Sequence, residues 1–306
     1  MTEQSSVREL RGALLRSVSR SFYLSIRLLP AKVRDPVALA YLLARATDTI
    51  ADTAEIDPDL RLRELEKLSA LIQQPGSVGS IRDFAFLQKD HAERALMEAI
   101  PQCLRWLNSM SGGEQAEIRS VLASINEGQT LDVQRFGATQ GAALQTASDL
   151  DRYTYLVAGS VGEFWTKVCF RRLPRFTHES QAEMISLGVE YGKGLQLVNI
   201  LRDAGTDLRA GRCYLPAEEL HSLGLSWQDL GSEPARATPI LGAWRERAER
   251  RLATGIEYSC AIRPWRVRLA TVLPALIGAR TLALLREAGS ASFHTKVKVS
   301  RAEVRR

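Results

Sequence analysis

The sequence predicts an all-α protein folded as a single domain over residues 1–306. Three observations carry that prediction. Apolar residues recur at spacings of three and four almost throughout, the period of a helix that buries one stripe. Nowhere do several alternating apolar and polar segments follow one another, as a sheet would require. Turn residues punctuate the pattern at Pro30, at "PGSVGS" from Pro75, at Ser111-Gly112-Gly113, at Pro174 and from Gly211 to Pro216, and none of these breaks is long or biased enough to be an inter-domain linker. No internal repeat of fixed period occurs.

In chain order, helices are expected over about 7–18, 20–29, 35–53, 59–73, 90–109, 112–136, 146–170, 180–208, 237–262 and 264–289. The first pair ends at Pro30. The third contains "PVALAYLLA", plain helical core. The last holds the longest apolar stretch, "LATVLPALIGARTLALL" (Leu269 to Leu285), which Pro274 and Arg280 interrupt, so it reads as a buried helix and not a membrane span. A basic tail from about 290 to 306 follows and is expected to be flexible. Within it, Ser300 and Glu303 resemble a capping box opening a helix that the chain lacks the length to complete.

At 306 residues the chain can bury roughly three quarters of its unfolded surface. A net charge of +6 favours an anionic partner: a phosphorylated substrate, a lipid surface or nucleic acid. Cys103, Cys169, Cys213 and Cys260 form no CxxC pair, and His91, His178, His221 and His294 are equally scattered, which argues against a zinc site or a histidine-based nucleophilic site. The N-terminus lacks the continuous apolar stretch of a secretory signal. A reduced, cytoplasmic compartment is expected, with any membrane contact peripheral.

Two stretches depart from plain helical core. In "RATDTIADT" (Arg45 to Thr53), Tyr41, Arg45, Asp48 and Asp52 step by four, three and four and so share one stripe. Like charges four apart repel by roughly a few tenths of a kcal/mol, with no cation four residues on to offset them. In "YGKGLQLVNILRDAGTDLRAGRCYLP" (Tyr191 to Pro216), Gln196, Asn199, Asp203 and Asp207 step by three, four and four, flanked by Lys193, Arg202, Arg209 and Arg212. One such pair is ordinarily a solvated helix end. Two, each with cations and each on an apolar helix, point to a common task.

That task is the handling of a diphosphate. Magnesium prefers hard oxygen ligands and is usually held by one or two carboxylates plus substrate phosphates. Two facing stripes would clamp a magnesium cluster, with Arg45 and Arg202 neutralising the remaining phosphate oxygens through their planar forks. A bound metal stabilises charge on departing diphosphate. The departing carbon must then become a stabilised, allylic cation, which an apolar helical interior keeps from water. "DRYTYLVAGSVGEFW" (Asp151 to Trp165) places Gly159 and Gly162 on one apolar helix, at about 1 kcal/mol each against alanine. Close approach of a second helix, the more ordinary cause, or of a ligand would offset that cost. Tyr153 is either a core tyrosine or an inward-pointing one. Arg20 and Ser21, in "SRSFYLSIRLLP", are a candidate phosphate contact at a helix start. Gly192 and Gly194 lack the third glycine and the preceding strand of a dinucleotide fingerprint.

On these residues the sequence resembles the squalene/phytoene synthase family of head-to-head prenyl transferases. The likeness runs from "SRSFYLSIRLLP" through "YLLARATDTIADT", "YTYLVAGSVG" and "LQLVNILRDAGTDLRAGRCYLP" to "PWRVRLATVLPALIGARTLALL". The family's two DxxxD motifs match Asp48 with Asp52 and Asp203 with Asp207. The resemblance implies a helical prenyl-synthase fold with one central cavity, two bound prenyl diphosphates, a magnesium requirement and two half-reactions through a cyclopropylcarbinyl diphosphate. It implies that Asp48, Asp52, Asn199, Asp203 and Asp207 hold the metal. Arg20, Ser21, Tyr41, Arg45, Gln196, Asn199 and Arg202 would surround the diphosphates, and Tyr153 would line the reaction chamber. A first motif beginning Asp48-Thr49 resembles the squalene branch, which implies farnesyl diphosphate as substrate and NADPH as reductant. Phytoene and dehydrosqualene synthases are the alternatives within the family.

Two departures stand out. Ala51 and Thr206 occupy positions where the family often carries a further acid, which leaves the DxxxD pairs intact but with less negative charge around a metal. The sequence also lacks the C-terminal membrane span of some squalene synthases. A basic scaffold for nucleic acid or anionic lipid would account for the charge but not for two acidic stripes, since carboxylates repel phosphate unless a metal intervenes. Nucleic acid is therefore not an expected partner.

Overall fold

The computed structural model describes residues 3–19, 22–137, 141–300 and 303. Among these, fifteen α-helices account for nearly all regular structure, and the one sheet is a two-residue parallel bridge of Ala142–Ala143 with Arg212–Cys213. The chain divides into two compact units, one of residues 1–134 and 164–176, the other of residues 135–163 and 177–306.

The first unit is organised on the helix Ala31–Asp52, which packs against Leu15–Ser19, Phe22–Leu28, Pro58–Gln73, His91–Glu98 and Ile100–Ser109. Pro30 holds its N-cap position. It begins four residues earlier than expected and runs through Pro36: Val33 and Pro36 are buried, and that packing outweighs the helix-breaking tendency of the prolyl ring. Asp57 caps the next helix, accepting from the Asp59 and Leu60 amides at 3.0 and 3.2 Å. Asp90 caps His91–Glu98 in the same way, through Ala92 and Glu93.

The single helix expected over 90–109 is two, His91–Glu98 and Ile100–Ser109. Pro101 has no amide to donate and its ring crowds the Met97 carbonyl, so the chain turns at Ala99. The expected 146–170 helix is likewise interrupted, by a π-turn at Tyr155–Gly159. Arg82–Phe86 and Ala217–Ser222 are too short to have produced a periodic signal.

The second unit is built around the helix Gln181–Arg209, flanked by Thr238–Ala261 and Trp265–Ala288. Glycines bring backbones together here. A Cβ on Gly162 would lie 1.9 Å from the Gly188 carbonyl oxygen, and one on Gly192 would lie 2.2 Å from that of Ala158. Helix packing, and not a ligand, therefore uses these glycines. Tyr191 is buried and donates its hydroxyl to the Thr271 carbonyl at 2.8 Å, in the stretch that Pro274 disturbs. After Arg209 the chain reverses at Gly211 (φ 75°) beside Gly141 (φ 65°), conformations that favour glycine.

One expectation needs correction. The Trp265–Phe293 segment is long and apolar enough to cross a membrane by length and composition alone, and its helix Trp265–Ala288 is buried on one face only: Val267, Ala275 and Leu282 pack inward while Trp265, Leu269 and Leu276 are exposed. In the described part of the tail, residues 290–300 and 303, some side chains pack. Phe293, Val297 and Val299 are buried, and the Ser300 hydroxyl accepts from the Glu303 amide at 3.2 Å, half of the capping box.

Candidate active site

Along Ala31–Asp52 nearly every residue of the last three turns is buried, apart from a strip that contains Tyr41, Arg45, Asp48 and Asp52. The stripe read from the sequence is thus the face this helix leaves open. Arg45 donates through Nη1 to Asp48 and through Nη2 to Glu93. Burial works against the Arg45 charge, but Asp48 and Glu93 outweigh it and the guanidinium holds its proton more firmly than usual. Tyr41 reaches the Val18 carbonyl at 3.5 Å.

Asp48 keeps 41% of its side-chain surface open, yet the protein crowded around it strips away enough water to push its carboxyl up to about 6. That value already includes the repulsion of neighbouring Asp52, which adds to desolvation, and the pull of Arg45 in the opposite direction. Asp52 ends the helix, in the last turn where the negative end of the macrodipole disfavours a carboxylate by about 0.3–1 kcal/mol, and Asp48 stands one turn before it. Arg61 relieves part of this by donating to the Ala51 carbonyl at 2.8 Å, and Thr53 donates to Thr49 at 2.6 Å.

The second stripe repeats the design. Gln196, Asn199, Asp203 and Asp207 lie on the less buried face of Gln181–Arg209, again with both aspartates in the last two turns. Arg202 grips Asp203 with both arms of its fork, Nε lying 3.0 Å from Oδ1. Asn199 donates to Gln196 at 3.4 Å, and Arg212 approaches Asp207 at 3.4 Å. Arg209 turns to Thr206 and the Phe293 carbonyl.

Lys193 does not join this face. It is buried and paired with Asp151 at 2.8 Å and Glu190 at 3.3 Å. Desolvation pushes the Asp151 carboxyl upward, but Lys193 and Arg251 together hold it below its ordinary value. Tyr153 is buried and stacked on Tyr214 with ring centroids 5.1 Å apart, and Phe136 meets Tyr214 edge-on at 5.2 Å. Arg20 and Ser21 lie outside the described residues.

Sequence reasoning missed Glu93. Its partner Arg45 is 48 residues away, and no local pattern links the two. It also missed the buried polar residues behind the first stripe, where Thr53 faces the Gln88 amide oxygen at 3.3 Å, and the Arg45 Nε, Thr49 Oγ1 and Gln88 Nε2 atoms are buried with no hydrogen-bond partner.

The donor sets fit magnesium: oxygens only, in clustered carboxylates whose repulsion and helix-end cost a divalent cation would relieve. Among the described residues no three or more His, Cys, Asp or Glu side chains converge into a metal cage. Magnesium held here would complete its shell with water and phosphate oxygens, its usual habit.

The squalene/phytoene synthase family profile matches residues 15–303. Squalene synthase ERG9 of Saccharomyces cerevisiae is 32% identical over 212 residues, 67% of this chain and 44% of that protein. The bifunctional lycopene cyclase/phytoene synthase of Gibberella fujikuroi is 30% identical over 224 residues, 72% of this chain and 37% of that protein. Among solved structures, a ligand complex of TcSQS aligns with a TM-score of 0.80 at 25% identity, over 98% of this chain and 84% of the other. The fold is that of the helical prenyl synthases. The chain belongs to the squalene/phytoene synthase family. It spans less than half the length of the two curated relatives named above.

Proposed function

We propose that the protein joins two prenyl diphosphates head to head. Magnesium is held by Asp48 and Asp52 on one helix and by Asn199, Asp203 and Asp207 on the other. When bound, it supplies Lewis-acid stabilisation of the diphosphate leaving group. Arg45 and Arg202 donate to phosphate oxygens, Tyr41 and Gln196 orient them, and Arg20 with Ser21 adds a further phosphate contact. Tyr153 lines the hydrocarbon side. One observation carries this reading: each acidic pair sits at the unfavourable end of its helix with an arginine already bonded to its first aspartate, Arg45 to Asp48 and Arg202 to Asp203. Such a strip binds phosphate oxygens through the arginine and metal through the carboxylates.

Within that reading the substrate is farnesyl diphosphate and the product squalene, with NADPH as hydride donor. Support comes from Asp48-Thr49 at the first motif and from the likeness to a yeast squalene synthase. Incubation with farnesyl diphosphate and magnesium, with and without NADPH, tests it. A C30 diphosphate intermediate without NADPH and squalene with it are expected. A C30 hydrocarbon unchanged by NADPH assigns dehydrosqualene synthesis, and preferential C40 product from geranylgeranyl diphosphate assigns phytoene synthesis. No condensation with either substrate overturns the whole reading.

A further inference from the structure

The helix Thr238–Ala261 takes no part in the chemistry above, yet it repeats the pattern of the carboxylate stripes with the sign reversed. Arg247, Arg250, Arg251 and Thr254 share one face. Arg247 and Arg251, four apart, repel each other. All four residues line one cavity of about 410 Å³ within the second unit.

Part of that charge is neutralised locally. Arg251 donates through Nη2 to Asp151 and through Nε to Glu190 at 2.9 Å. Lys193 bonds the same two carboxylates, so Asp151, Lys193, Glu190 and Arg251 close a ring of alternating charge that is neutral as a whole. Arg247 lies over the Trp244 ring, 4.3 Å from its centroid, and approaches Glu219 only to 3.6 Å. The other oxygen of Glu219 accepts from the Trp244 indole at 2.7 Å. Arg250 is exposed and has no acidic partner among the described residues. Positive charge is therefore left over in the cavity, and its unspent donors belong to planar guanidinium forks.

We propose that this cavity binds a phosphate-type polyanion through Arg247 and Arg250. Guanidinium forks match phosphate oxygens bidentately. The two carboxylates in the lining, which would repel such an ion, are held by Lys193 and Arg251. The cavity shares no residue with the carboxylate stripes. Its contribution from Gln181–Arg209, Glu190, stands thirteen residues before Asp203, about 20 Å along the helix axis. Inorganic diphosphate is the ion the proposed condensation releases. That source rests on the condensation reading, whereas the site itself does not.

Calorimetric titration of the full chain with inorganic diphosphate, in EDTA and at constant ionic strength, tests this. Without magnesium the carboxylate stripes repel the ion, so uptake of one diphosphate per chain is expected at the arginine cavity. Arg247→Gln with Arg250→Gln should weaken binding at least about tenfold. Arg250→Gln alone should weaken it in the same direction with an unchanged melting temperature, because that side chain is exposed and unpaired. Condensation of prenyl diphosphates by both variants should match wild type when no inorganic diphosphate is added. Wild type that takes up no diphosphate, variants that bind it as tightly as wild type, or a signal that chloride reproduces would overturn the proposal. A wild type that binds diphosphate at these arginines but condenses no prenyl diphosphate keeps the site and removes only the source of its ion.

Discussion

Arg45 donates to the carboxylate of Glu93, a residue in the first turn of a helix that Asp90 caps. The same guanidinium holds Asp48, so Glu93 fixes the direction in which the fork presents itself. Glu93→Gln keeps an acceptor oxygen but removes the charge. Turnover is expected to fall about tenfold, with a smaller change in melting temperature, and Glu93→Asp should recover part of the rate. Steady-state kinetics on the three proteins check this, and an unaltered rate in Glu93→Gln would leave the pair a purely structural one.

Asp48→Asn and Asp203→Asn should each lower turnover at least about a hundredfold, the scale of losing one preorganised electrostatic contact. Both variants should fold. Asp48→Asn should also melt higher than wild type at neutral pH in the absence of metal, since it removes a desolvated charge beside Asp52. Near-normal turnover in both variants would remove the metal-binding assignment.

Arg45→Lys replaces a fork that grips two carboxylates with a point charge. Its rate loss should exceed its stability loss. Magnesium titrations of activity distinguish the roles, because a lysine variant with wild-type kinetics at limiting magnesium would make Arg45 a packing residue.

The Asp48 carboxyl should contribute a loss of stability to the metal-free protein that grows as pH rises from about 4 to about 6. Asp48 titrates near 6 in the folded chain against an ordinary value of 3.8, so across that window the folded state binds more protons than the unfolded one. The penalty is complete above 6. Melting curves of Asp48→Asn should lack this component. Magnesium should raise the melting temperature of wild type more at pH 7 than at pH 5, where the carboxyl is mostly protonated.

Gly162→Ala should destabilise the second unit by about 1–3 kcal/mol, the range for overpacking, because the new methyl group meets a backbone carbonyl and not a flexible side chain. Urea denaturation midpoints measure it.

Much of the candidate site was legible because both stripes are local: steps of three and four place Asp48 with Asp52, and Asp203 with Asp207, on the face their helices leave open. What periodicity does not encode is the partner. Lys193 sits close in sequence to the second stripe but finds Asp151, 42 residues away, in the interior. Glu93 escaped notice for the same reason. Helix ends were misplaced at two prolines: Pro36 is carried inside a helix by buried neighbours against its usual effect, whereas Pro101 breaks, as proline ordinarily does, a stretch whose periodicity reads as continuous. The half-buried Trp265–Ala288 helix shows the limit of apolarity alone, which does not say whether a residue faces protein or the outside.

Gly205 lies between the two aspartates of the second motif, and a Cβ there would come within 2.1 Å of the Phe293 carbonyl oxygen. Arg209, one turn further along, donates to that same oxygen at 3.3 Å. The chain after Ala288 is therefore a brace on the helix that carries Asp203 and Asp207, seated where no side chain fits. Deletions that reach Phe293, or fusions that pull on it, would loosen the carboxylates while leaving every residue of the motif in place, and an assay on such a protein would report the lost brace as lost chemistry.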